Sequence, residues 1–175
     1  MKRCLALIAA VMILVCSLVA CGSDSSNDTG ATTATEKVKR HTAFVGTMKD
    51  VDLGALMTKI NEQFDLGEHT DKNDSERYYG ISAPDVVQFY AQKPVEDREF
   101  NEIVICEVAT ADALDRVENK LNDQLTRAIN NAKSYSKEDL ELVEKCQVTL
   151  DGKYMYLVIS PFAEEICELI KTEIN

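Results

Sequence analysis

The residue best placed for chemistry is Cys21, which follows Leu18-Val19-Ala20 behind an apolar run. That order suits cleavage after the small Ala20 and attachment of a diacylglyceryl thioether to the Cys21 sulfur. Cys16 is a poor rival, because Val15 is too bulky to precede the cut. A second pattern, Ser134-Tyr135-Ser136-Lys137, matches S-x-x-K, in which a lysine helps activate a serine for acyl transfer. No S-D-N follows, and Lys171-Thr172-Glu173 carries Glu where K-T-G needs glycine. The chain is also short for that fold. A helix-capping loop is the reading here, and a hydrolase using Ser134 and Lys137 is the least supported alternative.

Other chemistry-bearing residues fail to assemble. Carboxylates gather at Glu96, Asp97, Glu99 and Glu102, and again at Glu138, Asp139, Glu141 and Glu144. Paired carboxylates can cleave glycosides, but such clefts are usually lined with aromatics and this chain has no tryptophan. Solvated charged faces are expected instead. Asp71 to Glu76 superficially resembles a calcium loop, yet Glu76 stands where a sharp turn needs glycine and Ser82 where a bidentate Glu belongs. His41 and His69 are placed for neither a triad nor a metal, and no H-E-x-x-H or phosphate-cradling glycine loop exists. No metal, no cofactor and no enzymatic activity are expected.

Three cysteines remain beyond Cys21. Cys106, Cys146 and Cys167 are odd in number, so no complete disulfide framework forms. A Cys106–Cys146 bridge is one option; buried free thiols, packing as small hydrophobes, are the other and the preferred one.

The elements that would position these residues follow from spacing. Lys2 and Arg3 precede an apolar core, Leu5 to Val15, of about eleven residues, within the ~7–15 of a signal peptide and short of the ~20 of a span. The alternative is an uncleaved anchor helix, since Cys4 to Ala20 is apolar but for Ser17. Residues 1–20 are thus read as a lipoprotein signal and 21–42 as a lipidated cysteine with a Ser/Thr-rich tether reaching roughly 25 Å. Residues 43–175 are read as one globular domain. Two acyl chains, at ~0.8 kcal/mol per buried methylene, make detachment negligible. The expected address is the extracytoplasmic face of the cell membrane.

Within the domain, Leu53, Leu56, Met57, Ile60 and Phe64 keep helical spacing, capped by Asp50 or Asp52 and ended by Gly67. Val86 to Lys93 reads as a strand, and Glu102 to Ala109, apolar on both faces, as a central one. Thr110 caps a helix over 111–132, striped by Leu114, Val117, Leu121, Leu125, Ala128 and Ala132. Ser136 caps a short helix over 137–144. Asp151-Gly152 turns a hairpin between 146–150 and 154–159, and Ser160-Pro161 opens the last helix. The fold class is α+β: a four-stranded antiparallel sheet from two strand-strand-helix units, long helices packed on one face, and an extra N-terminal helix.

Charge narrows the partners. The 19 basic residues less Lys2 and Arg3 leave 17 against 30 acidic ones, a net charge of −13. That opposes nucleic acid and anionic polymers and favours a cation or cationic peptide. If helices cover only one sheet face, alternation leaves Tyr154 and Tyr156 exposed on the other as a partner contact.

Tyr79-Gly80-Ile81, Glu102-Ile103-Val104-Ile105, Leu125-Thr126-Arg127, Tyr135 and the run Asp151 to Ile159 carry a further signal. Through them the chain, over about Leu53 to Ile170, resembles the uncharacterised Gram-positive lipoprotein family with the domain of unknown function 4358. The longer acidic-polar loop at Asp71 to Glu76 departs from it. The resemblance implies a lipid-tethered surface domain and carries over no catalytic residue. The expected function is a non-catalytic interaction domain binding an envelope protein or peptide, with a small-ligand or cationic-peptide receptor as the alternative.

Overall fold

The computed structural model describes residues 48–96 and 99–175. The signal, Cys21, the tether, His41, Asp97 and the first residues assigned to the domain lie outside them. Among the described residues no helix is long and apolar enough to cross a membrane.

Helix α1 (Leu53–Gln63) begins where Asp52 Oδ1 accepts the amides of Gly54 and Ala55, which are orphan donors of the first turn. Strand β1 (His69–Asp71) and the short helix α2 (Ser75–Tyr79) follow, the latter closed by Gly80 at φ 65°. Strands β2 (Val86–Pro94) and β3 (Glu102–Val108) form an antiparallel pair with a register irregularity between Val86 and Gln88. Then come α3 (Leu114–Ala132), α4 (Lys137–Glu144), β4 (Val148–Asp151), β5 (Tyr154–Ile159) and α5 (Ala163–Ile174).

The class is α+β, as expected, with an antiparallel sheet of five strands rather than four, in the order β1-β2-β3-β5-β4. The added strand, β1, pairs Thr70 with Lys93 at the sheet edge. The two strand-strand-helix units do join, through the β3–β5 ladder that sets Glu102 opposite Ile159.

The helices, however, cover both faces. Phe89, Ala91, Val104, Cys106, Met155, Leu157 and Ile159 pack against Leu114, Val117 and Leu121 of α3 and Val143 of α4. On the other side Ile103, Ile105, Tyr154, Tyr156 and Val158 pack against α1 and against Ile166, Ile170 and Ile174 of α5. The physical reason lies in β3 and β5, every residue of which is buried. A strand apolar on both sides needs cover on both.

Tyr154 and Tyr156 are therefore buried, and the exposed tyrosine face expected from one-sided cover does not exist. Alternation places them together, but under α1 and α5. The Cys106–Cys146 bridge, the lesser of the two options, does not form. Cys106 sits on β3 opposite Met155, β5 intervenes, and Cys146 precedes the far edge strand. All three described cysteines are free.

Candidate functional site

At one end of the sheet, β3 opens on a glutamate that the fold buries. Glu102 is only 7% exposed. Its Oε1 accepts from the Tyr79 hydroxyl at 2.9 Å and from Gln124 Nε2 at 3.0 Å, and its Oε2 takes Gln124 Nε2 at 2.8 Å. Lys93 Nζ, at the end of β2, lies 3.3 Å from Oε1 and 5.3 Å from the centre of the Tyr79 ring. Each neighbour is a donor, matching an acceptor-only carboxylate. Burial first, and the Glu102 charge second, push the Tyr79 hydroxyl far above the ordinary phenol range, so it remains a donor.

Gln124 passes the order on. Its Oε1 accepts from Arg127 Nε at 3.1 Å and Nη2 at 2.8 Å. The amide is thus oriented from both ends, nitrogen to carboxylate and oxygen to guanidinium. Helix α3 makes this possible by setting Leu121, Gln124 and Ala128 toward the sheet, with the exposed Arg127 three residues on from Gln124.

Over this network lies a cavity of about 280 Å³, walled by Lys93, Glu99, Phe100, Arg127, Ala128 and Ile159, with Glu102 and Gln124 at its side. The Phe100 ring meets Tyr135 edge-on, centroids 6.1 Å apart, which fixes one wall. Two larger hollows lie elsewhere, about 470 Å³ beside the link from Asn61 to His69 and about 370 Å³ between Lys49 and Glu173. Neither gathers a buried polar network, and the Lys59 ammonium beside the latter is paired with Glu173.

The other sequence candidates stay apart. Ser134 and Lys137 are exposed; Lys137 pairs with Glu141 at 2.8 Å, and Ser136 forms a capping box with Asp139. Among the described residues no hydrogen bond joins Ser134 to Lys137. In the loop likened to a calcium site, Asp74 caps α2 and Asn73 Oδ1 accepts from the Ala91 amide at 3.0 Å. Among the described residues no group of three metal-binding side chains converges. Of the first acidic cluster, Glu99 and Glu102 line the cavity, but Glu102 is occupied by its donors. Sequence reasoning missed Lys93 and Gln124. The one signal for Gln124 was its place on the apolar stripe of α3, three residues after Leu121.

Tyr79, Glu102 and Arg127, with Tyr135 behind Phe100, are residues on which the family resemblance rests, and the fold brings them to one place. No curated protein and no solved structure matches the chain. Residues 59–160, more than half of the chain, match the family described as domain of unknown function (DUF4358), and the chain belongs to that family.

Proposed function

We propose that this protein is a lipid-anchored, extracytoplasmic, non-catalytic binding domain, and that the cavity over Glu102 receives its ligand or the tip of an envelope partner. The observation that carries the cavity assignment is the convergence of Glu102, Gln124 and Arg127 on it, with Tyr79 donating to Glu102. A buried, connected polar network is costly unless every member is satisfied. Here it holds one arginine in place beside an open space. The anchor rests on the order of residues before Cys21. Of the two carboxylates at the cavity Glu102 is already occupied by its donors, and Arg127 keeps an open edge, so a cationic-peptide receptor is not favoured there.

Two measurements test this reading. Mass spectrometry of the native membrane product is expected to show residues 1–20 removed and a diacylglyceryl group on Cys21; a free Cys21 thiol would remove the anchor. A photo-crosslinking side chain at Glu99, on the cavity wall, is expected to capture an adduct in intact membranes that the same side chain at Glu165, exposed on the outer side of α5, does not. Equal capture from both positions, or none from Glu99, would remove the cavity.

A further inference from the structure

Resting on the cavity assignment above, we infer that the cavity is a receptor for a single carboxylate, gripped by Arg127, with a small apolar group lodged beside Phe100, Ala128 and Ile159. Arginine has five N–H donors in a planar fork. One edge of Arg127, Nε with Nη2, is spent on Gln124. The terminal edge, Nη1 with the second Nη2 proton, is the one that fits a carboxylate in two parallel bonds. Among the described residues no carboxylate lies within ion-pair distance of Arg127.

The local ion pairing points the same way. The lining holds two cations and two carboxylates, but Lys93 is paired with Glu102 and no ion pair joins Glu99 to Arg127, so among the described residues the Arg127 fork keeps an open edge. Glu99, the second carboxylate of the wall, has its Oε2 turned toward Gly67, 3.5 Å from where a β-carbon there would stand. Because Glu102 holds Gln124 and Gln124 holds Arg127, the fork is set before a ligand arrives. That lowers the ordering cost of binding.

Three features separate a carboxylate from other anions. Arg127 lies in the last turns of α3, which ends at Ala132, where the helix carbonyls carry partial negative charge. That end opposes a doubly charged phosphate more than a singly charged carboxylate, and no helix N-terminus lines the cavity to offset the cost. The acidic body repels long polyanions, whereas one carboxylate is small enough to be screened within ~8 Å at physiological salt. The volume of about 280 Å³ sits at the lower edge of the ~300–1,000 Å³ typical of ligand pockets, enough for a small acid or the last residue of a peptide.

The test uses full-length protein in detergent and calorimetric titration at up to millimolar ligand. One arm uses phenylpropionate and phenylpropionamide. The other uses a mixed tripeptide library with free C-termini and the same library amidated. Free acids are expected to bind at least about tenfold more tightly than their amides. Arg127→Gln is expected to erase that preference and Arg127→Lys to reduce it, with both melting near the parent. Preference confined to the first arm identifies a free small acid; preference in the second identifies a peptide terminus. Acids and amides binding alike, a preference surviving Arg127→Gln, or no binding in either arm would each overturn the carboxylate inference. The Glu99 crosslink decides the cavity separately, so the two failures are distinguishable.

Discussion

Tyr79, at the end of the five-residue helix α2, donates its hydroxyl proton to Glu102 Oε1 at 2.9 Å across 23 positions of sequence. Removing Glu102 takes the acceptor from the Tyr79 hydroxyl, whereas removing the hydroxyl leaves Glu102 its other donors. Tyr79→Phe is expected to cost about 1–2 kcal/mol, since Glu102 keeps Gln124 and Lys93. Glu102→Ala is expected to cost about 2–3 kcal/mol, less than the ~3–5 of a fully buried pair because the Lys93 side chain is 30% exposed and reaches water. Urea unfolding with an unchanged m-value is the check. A Glu102→Ala midpoint equal to the parent would show the network to be dispensable.

Two tyrosines on one strand are expected to behave oppositely. The Tyr154 hydroxyl accepts from the Val51 amide at 3.0 Å and donates to the Lys49 carbonyl at 2.9 Å, tying residues 49–51 to β5. Tyr154→Phe is therefore expected to lose about 1–2 kcal/mol and to speed proteolysis near residue 50. The Tyr156 hydroxyl is buried without a hydrogen-bond partner among the described residues. Tyr156→Phe is expected to be neutral or to stabilise by up to about 1 kcal/mol. Paired thermal melts decide it, and equal losses at both positions would contradict the burial described.

Gly152 has φ 58°, and a β-carbon there would fall 1.6 Å from Met48 Sδ. Gly152→Ala thus carries two costs, about 1–2 kcal/mol for the left-handed backbone and a further one for moving Met48. In a double-mutant cycle Met48→Ala is expected to relieve only the second. Additive losses would mean that Met48 does not pack on the hairpin.

Burial pushes the Cys106 thiol up to about 12, and the Cys167 thiol, half-buried on α5, up to about 11; Cys146 is raised by burial as well. Because the thiolate is the nucleophile, all three are expected to react slowly at pH 8. Cys106 alone is expected to label only through global opening, at a rate that falls with added stabiliser. Site-resolved alkylation followed by mass spectrometry reads this. Prompt labelling of Cys106 in native protein would contradict its place on β3.

The acid limb of stability is expected to depend on Asp85. Arg116 grips its carboxylate with two bonds, Nε to Oδ2 at 3.0 Å and Nη2 to Oδ1 at 2.6 Å, and holds its pKa below the usual value. The unfolded chain then binds the proton more readily. The contribution is present above about pH 4 and is lost as pH falls through the lower folded-state value. Arg116 is 58% exposed, so the amount is about 1 kcal/mol or less. Asp85→Asn is expected to lose about 1 kcal/mol or less at pH 7 and to flatten the fall in urea midpoint below pH 4, where the two proteins converge; parallel curves for both proteins would rule the pair out.

Much of the scaffold was legible in the sequence. Local rules placed the Asp151-Gly152 hairpin, the Ser136 cap and the central strand from Glu102, because each depends on neighbours in the chain. Strand β1 was not legible: His69, Thr70 and Asp71 are too few and too polar to show a period, and only pairing with β2 makes them a strand. Two-sided cover was written in the unbroken burial of β3 and β5, yet the assignment of α5 to the far face required knowing where Tyr154 and Tyr156 turn. The cavity was least legible. Lys93, Gln124 and Arg127 each read as ordinary surface residues of a strand end or a helix, and only the β2–β3 pairing and the docking of α3 bring Lys93 and Gln124 to Glu102 and so place Arg127 beside them.

The docking of residues 48–52 at the hairpin sets a direction for the whole body. Asp50 meets Lys153, Met48 lies over Gly152, and Gln88 Nε2 donates to the Val51 carbonyl, all at one end of the sheet. Glu102 opens β3 at the opposite end, five residues or about 17 Å from Glu107 at ~3.4 Å per step. With the anchor proposed at Cys21, the chain would enter the domain at the hairpin end, and the Arg127 mouth lies at the other end of the sheet. Its occupant would then arrive from the wall side, and lengthening residues 21–47 would extend the zone it samples while leaving its grip unchanged.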